Sequence, residues 1–248
     1  MKNTDLQFSN TPLCFGMEIF ELTPVEWEAL RLSLWVSCWA VAWSLPIGIL
    51  VAWGLARLNF TGKTLVDGLI HLPLVLPPVV IGYLLLVVLG RRGIIGAWLY
   101  DTLGITIAFT WKGAAVAAGV MAFPLLVRAV RLSIEGVDQG LELAARTLGA
   151  SPLRVFFTVT LPLIIPGIIT GLILAFARSL GEFGATITFV SNIKGETQTL
   201  PLALYTLTQV PDGEFSALRL CIIAVIIAIG ALVASEFLSR RFAGHIRG

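Results

Sequence analysis

The sequence predicts an all-α protein, a polytopic bundle of transmembrane helices, on three observations. Five apolar stretches, at residues 34–55, 69–89, 108–127, 163–180 and 218–238, are each long enough to cross a hydrocarbon layer about 30 Å thick as a helix of about 20 residues. Of the 248 residues 57% are hydrophobic and only 13% charged, against about 25% charged in a soluble domain. Prolines stand inside the stretches, three of them in the second. A bilayer tolerates such breaks only where neighbouring helices or water satisfy the freed carbonyls. A bundle with a cavity therefore fits better than a passive anchor.

Composition also excludes several functions. The first 28 residues carry Glu18, Glu21, Glu26 and Glu28 without a continuous apolar run, so they do not read as a cleaved signal and the chain is expected to keep its N-terminus. Three cysteines, Cys14, Cys38 and Cys221, give neither a disulfide framework nor zinc spacing, and His71 and His245 are too few and too far apart for a metal site. No cofactor is expected. A net charge of +2 dispersed among apolar segments provides no basic face for nucleic acid.

Along the chain, Thr23-Pro24-Val25-Glu26 reads as a helix start: Thr23 caps, Pro24 takes the first helical position and Glu26 completes a capping box. The first membrane helix then runs through Trp35, Trp39, Trp43 and Pro46 to a polar break at 57–63. Pro73, Pro77 and Pro78 forbid a straight second helix, because each removes a backbone donor and clashes with the preceding turn. Gly90-Arg91-Arg92-Gly93 ends it, and a mixed stretch with Trp98, Tyr100 and Asp101 follows. The third segment holds Gly113, Ala114, Ala115, Ala117, Ala118 and Gly119, small residues that permit close helix approach; it is expected to end at Pro124 with Arg128 and Arg131. The fourth carries Gly167 and Gly171 at small-xxx-small spacing. In the mixed interval 181–213, the apolar run 200–207 is too short to span and suits a short or re-entrant helix, with a sixth crossing as the alternative. With five crossings and the N-terminus outside, the inner set holds nine of the 17 Lys/Arg (Arg57, Lys63, Arg128, Arg131, Arg146, Arg154, Arg240, Arg241, Arg247), a weak positive-inside vote.

The interval between the third and fourth stretches, about 132–158, is too polar to be embedded. Leu141, Ala144, Ala145 and Leu148 share one helical face, while Glu142 and Arg146 are spaced as an i,i+4 ion pair. Gly149 suits the left-handed position past a helix end. Ser151-Pro152 starts a second short helix as N-cap and first-turn proline. Two short helices with a bend thus stand on one side of the bilayer, and small Ala144 and Ala145 let this knob enter a groove on another protein.

Here the chain resembles the EAA loop of ABC-importer permeases: Ala144, Ala145, Gly149, Val159, Leu161 and Pro162 fall in register, with Glu142 one residue early and Val159 in place of isoleucine. Leu72-Pro-Leu-Val-Leu-Pro-Pro78, Gly90-Arg-Arg-Gly93, Ala144-Ala-Arg-Thr-Leu-Gly-Ala150 and Ala177-Arg-Ser-Leu-Gly-Glu-Phe-Gly-Ala185 are similar to the molybdate permease subunits of that class. The resemblance covers residues 27–248 as one type I permease domain, leaving 1–26 as an extracytoplasmic extension. It implies a homodimer in the bacterial inner membrane among lipid, two cytoplasmic ATPase subunits docked on the loops through Glu142, Ala144, Ala145, Arg146, Gly149 and Pro162, and a periplasmic protein delivering molybdate, with tungstate often a second substrate. The loop is then cytoplasmic, the N-terminus periplasmic and the C-terminus cytoplasmic.

Other motifs weigh less. Gly62-Lys63-Thr64 lacks the earlier glycine of a phosphate loop, whose position is Arg57, and follows no strand; the chain itself is therefore not expected to be an enzyme. Arg178 and Glu182 are spaced i,i+4 near the outer end of the fourth helix, where a structural ion pair and a pathway role are equally open. For a pathway, Arg178 would attract a tetrahedral dianion with Ser179, Thr186 and Thr188 offering hydroxyls. The rivals are a sulfate or thiosulfate permease of the same class and a stand-alone secondary transporter, which needs coupling acids in the membrane. Glu182 and Glu236 are the near candidates for those, both close to helix ends.

Overall fold

The computed structural model describes residues 22–211 and 213–247, with no strand among them. Helix α1 spans Pro24–Arg57. It begins as its sequence dictates: the Thr23 hydroxyl accepts the Glu26 N–H at 3.4 Å and the Glu26 carboxylate accepts the Thr23 N–H at 2.7 Å. At 1.5 Å per residue it is about 50 Å long, more than a bilayer core requires. It starts inside the interval 1–26 expected as an extension; residues 1–21 of that interval, with Cys14, lie outside the described residues.

The proline-rich stretch is two helices, α2 at Lys63–Val75 and α3 at Pro78–Leu89, bent by 114°. Leu76 and Pro77 form the break, where neither Pro77 nor Pro78 can donate to a preceding turn. The next helix, α4 at Ile94–Leu103, occupies the stretch that composition left as mixed, and Gly104 ends it at φ 66°.

Helix α5, Trp111–Glu135, is the mast of the bundle. The sequence suggests an end at Pro124 with Arg128 and Arg131; the helix passes through Pro124 and closes at Glu135, one turn beyond Arg131. The reason is tertiary: Leu126, Val127, Val130 and Ile134 are fully buried, so packing outweighs the missing donor of Pro124. At its other half, Ala114 and Ala117 are fully buried, and a side chain added at Gly119 would meet Ser44 and Ala40 of α1.

Beyond α5 come α6 at Gln139–Thr147 and α7 at Pro152–Val155. A π-turn at Phe156–Thr160 leads into α8 at Leu161–Leu180. Gly167 lies against Ser133 and Gly171 against Leu126 and Ala129 of α5, the small-residue face expected for them. Short helices α9, Gly184–Val190, and α10, Leu200–Thr208, precede the last long helix, α11, Glu214–Arg247. Nine residues give α10 only about 14 Å, and its Leu200, Leu202 and Ala203 are buried in protein. It is a short protected helix, as the sequence favours over a sixth crossing.

Among the described residues four helices, α1, α5, the α7–α8 run and α11, are long and apolar enough to cross a membrane, and the bent pair α2–α3 passes the same test only when its two halves are taken together. Near the α6 end, Asp67 of α2 bonds Arg131 of α5 at 3.0 Å. Towards the other end, α3 lies on α9, where Gly82 approaches the backbone of Ala185. The two halves of the bent pair thus pack against different parts of the bundle.

Candidate functional site

The polar interval folds as a capped helical hairpin. Asp138 caps α6, accepting the Gly140 N–H at 2.8 Å. The helix closes with a Schellman motif: Gly149, at φ 86°, donates to the Arg146 carbonyl at 2.9 Å and Ala150 to the Ala145 carbonyl at 3.1 Å. Ser151 then caps α7 by accepting the Arg154 N–H at 3.4 Å. No residue of α6 is buried. Leu141, Ala144 and Leu148 stand exposed on one face, Leu148 at 88%, while Glu142 and Ala145 are half-buried on the side toward the bundle. An apolar face held out by a capped helix is the kind of surface that marks a contact with another protein.

Glu142 does not pair with Arg146. Its Oε1 accepts from Arg57 Nη2 at the last turn of α1 and from the Thr160 hydroxyl where the π-turn meets α8, each at 2.8 Å. The Arg57 and Glu142 side chains are each 12% exposed, whereas Arg146 is exposed. The tertiary partner wins because a half-buried carboxylate with no charge opposite it is costly, while an exposed i,i+4 pair contributes only a few tenths of a kcal/mol. The Arg57 Nε remains without a protein partner, beside a pocket of about 220 Å³ lined in part by Gln139, Glu142 and Arg146. Pro162 has a local effect here: it offers no N–H to the Thr158 carbonyl and its ring crowds that oxygen. The chain widens to a π-turn just before it, with the Leu161 N–H reaching back to Phe156.

At the opposite end, Arg178 Nη1 and Glu182 Oε2 lie 2.6 Å apart, with Glu182 almost fully buried. Glu182 also accepts the Ala185 N–H at 2.9 Å, so it fixes the start of α9 as well as Arg178. Ser179 is buried and donates to the Ala118 carbonyl of α5 at 3.4 Å; Thr188 donates to Gly184 within α9, and Thr186 is buried. Ser179 and Thr186 are thus buried between helices, while Thr188 is partly buried. Sequence reasoning missed Arg57 and Thr160 at one end. At the other it missed the ion pair of Glu26, in α1, with Arg219, in α11, 2.7 Å apart. Pairing over 85 and 193 residues leaves no local signal. Gly62 has φ 91° and opens α2 after a helix, as a turn would and a phosphate loop would not. Among the described residues no cluster of His, Cys, Asp or Glu could hold a metal ion.

Residues 44–244 match the family model described as binding-protein-dependent transport system inner membrane component. The chain belongs to this family. The permease is 65% identical over 219 residues, 88% of its own length and 96% of the relative's, to the molybdenum transport system permease protein ModB of Escherichia coli K12. It is 60% identical to the ModB of Haemophilus influenzae over 88% of the permease and 95% of that protein. The sulfate transport system permease protein CysT of Escherichia coli is more distant, at 37% identity over 80% of the permease and 72% of that protein. In fold, the permease superposes with TM-score 0.72 on a chain of a bacterial ABC transporter involved in import of the polysaccharide alginate, at 17% identity over 95% of the permease and 85% of that chain. As an ABC permease it is a transmembrane subunit rather than an enzyme, and ATP hydrolysis belongs to a separate subunit.

Proposed function

We propose that this chain is the permease subunit of an ATP-driven importer carrying molybdate, and tungstate with it, across the bacterial inner membrane. The observation that carries the reading is the margin between 65% identity to a molybdenum permease, across nearly all of both chains, and 37% to a sulfate one. The α6–α7 hairpin, with exposed Leu141, Ala144 and Leu148, is the seat of a cytoplasmic ATPase; this makes the α6 end cytoplasmic, the N-terminus periplasmic and the C-terminus cytoplasmic. Two copies of the permease line the pathway, two ATPase subunits dock on their hairpins, and a periplasmic binding protein delivers the oxyanion at the end bearing α9 and α10. Solved neighbours support these partner kinds: one alginate transporter was crystallised with its substrate-bound periplasmic protein.

The mechanism is alternating access. ATP closes the ATPase dimer, the hairpins follow, and the bent α2–α3 span and α8 reorient so that the cavity faces outward; hydrolysis reverses this. The partner shifts the equilibrium only through its differential affinity for the two states. The pathway holds the anion weakly, as release requires. ATP-dependent uptake of radiolabelled molybdate, with and without the ATPase and the binding protein, tests the reading. Uptake that needs every component and resists excess sulfate is expected. Uptake abolished by sulfate would transfer the assignment to the sulfate class, and uptake without ATPase would overturn it.

A further inference from the structure

The ends of α6 are capped, yet none of its residues is buried, so packing alone does not bind it to the membrane helices. Its covalent route to α8 is compliant, passing Gly149 at positive φ, the one-turn helix α7 and then the π-turn. On its other side three residues, 136–138, join it to α5, which meets α1 by packing and not by a directed bond from α6. Against these, one side chain makes a direct connection to both α1 and α8. Glu142 Oε1 takes the Arg57 guanidinium and the Thr160 hydroxyl at 2.8 Å each, in a spot where Arg57 and Glu142 are only 12% exposed and poorly screened. Thr160 sits at the far end of the π-turn, so the bond reaches α8 beyond the compliant segment.

We infer that Glu142 is a mechanical link, and Arg57 and Thr160 its positioning residues: displacement of α6 enters α1 and α8 together through this carboxylate rather than through the backbone. The inference rests on the ABC permease reading above and adds to it the path taken by the stroke once the ATPase has moved the hairpin. Shielding explains why an ion pair serves here, since charge-assisted hydrogen bonds keep their direction and strength where water is excluded. Fixing two helices to one oxygen also makes their motions simultaneous, as alternating access demands.

The test uses the complete complex in proteoliposomes and reads molybdate transported per ATP hydrolysed, a ratio that a loss of folded complex leaves unchanged. Thr160→Val, close to isosteric, and Arg57→Gln are expected to lower the ratio about fivefold or more, the lower range of inter-site coupling. The charge-exchanged pair Arg57→Glu with Glu142→Arg is expected to return it to within about twofold of the parent. An unchanged ratio in both single variants would overturn the link, and so would a lowered ratio that the exchanged pair fails to restore. Absence of ATP-dependent molybdate uptake in the parent complex would instead overturn the functional reading, and the link with it.

Discussion

Replacing Arg219 by leucine should destabilise the protein far more than its position near a helix end suggests. Arg219 donates to both Glu26 oxygens through Nη2, at 2.7 and 2.8 Å, and through Nε at 3.2 Å. Glu26 is 3% exposed at the side chain. Removing one member of a buried pair costs about 3–5 kcal/mol, because the remaining charge is left without its counter-ion. Glu26 keeps its bond from the Thr23 N–H, so the lower figure applies, about 3 kcal/mol, equivalent to a melting point lowered by about 6–12 °C in a chain of this size. Adding Glu26→Gln should recover at least half of the loss, about 1.5 kcal/mol, since glutamine still accepts from Thr23 but carries no charge to strand. Thermal unfolding of the purified protein in detergent, run on the parent, both single variants and the double, closes the cycle. Additive effects of the two substitutions would refute the argument, because they would show that the two charges do not feel each other.

Two other outcomes follow from backbone geometry. Gly149→Trp should leave the amount of protein in the membrane unchanged and abolish ATP-dependent uptake, as a side chain at φ 86° costs about 1–2 kcal/mol and deforms the hairpin locally; normal uptake by this variant would remove the hairpin from the mechanism. Gly82→Val should lower the melting temperature by several degrees, about 2 kcal/mol or more, because an added Cβ would stand 2.5 Å from the Ala185 carbonyl oxygen and 2.9 Å from its Cα. An unaltered melting curve would mean that α3 and α9 separate freely.

Local chemistry was legible in advance where it is written in neighbouring residues. Thr23, Pro24 and Glu26 announced the start of α1, Pro77 and Pro78 the break of the second span, and Gly149 with Ser151-Pro152 the hairpin. Whatever depends on distant partners was not. The Glu142–Arg146 spacing is favourable on paper, yet Glu142 turned to Arg57, and no pattern within one helix reports a cation 85 residues away. Two boundaries were misjudged in opposite senses. Helix α4 formed in an interval that composition left as mixed, and α5 continued through Pro124 because Val130 and Ile134 lie fully buried beyond it. The family resemblance, carried by the loop and the proline-rich span, reached further than either, since it draws on the whole chain at once.

The broken span has an electrostatic consequence. In an unbroken helix the carbonyls of Leu69, Pro73 and Leu74 would accept from the residues four positions on, and those positions are Pro73, Pro77 and Pro78, which have nothing to donate. At the break the backbone therefore presents carbonyls without their helical donors, next to the start of α3, whose first N–H groups lack helical acceptors. The kink thus sets the negative end of one helix dipole beside the positive end of the next, inside an apolar stretch where only water or a neighbouring polar group can satisfy both.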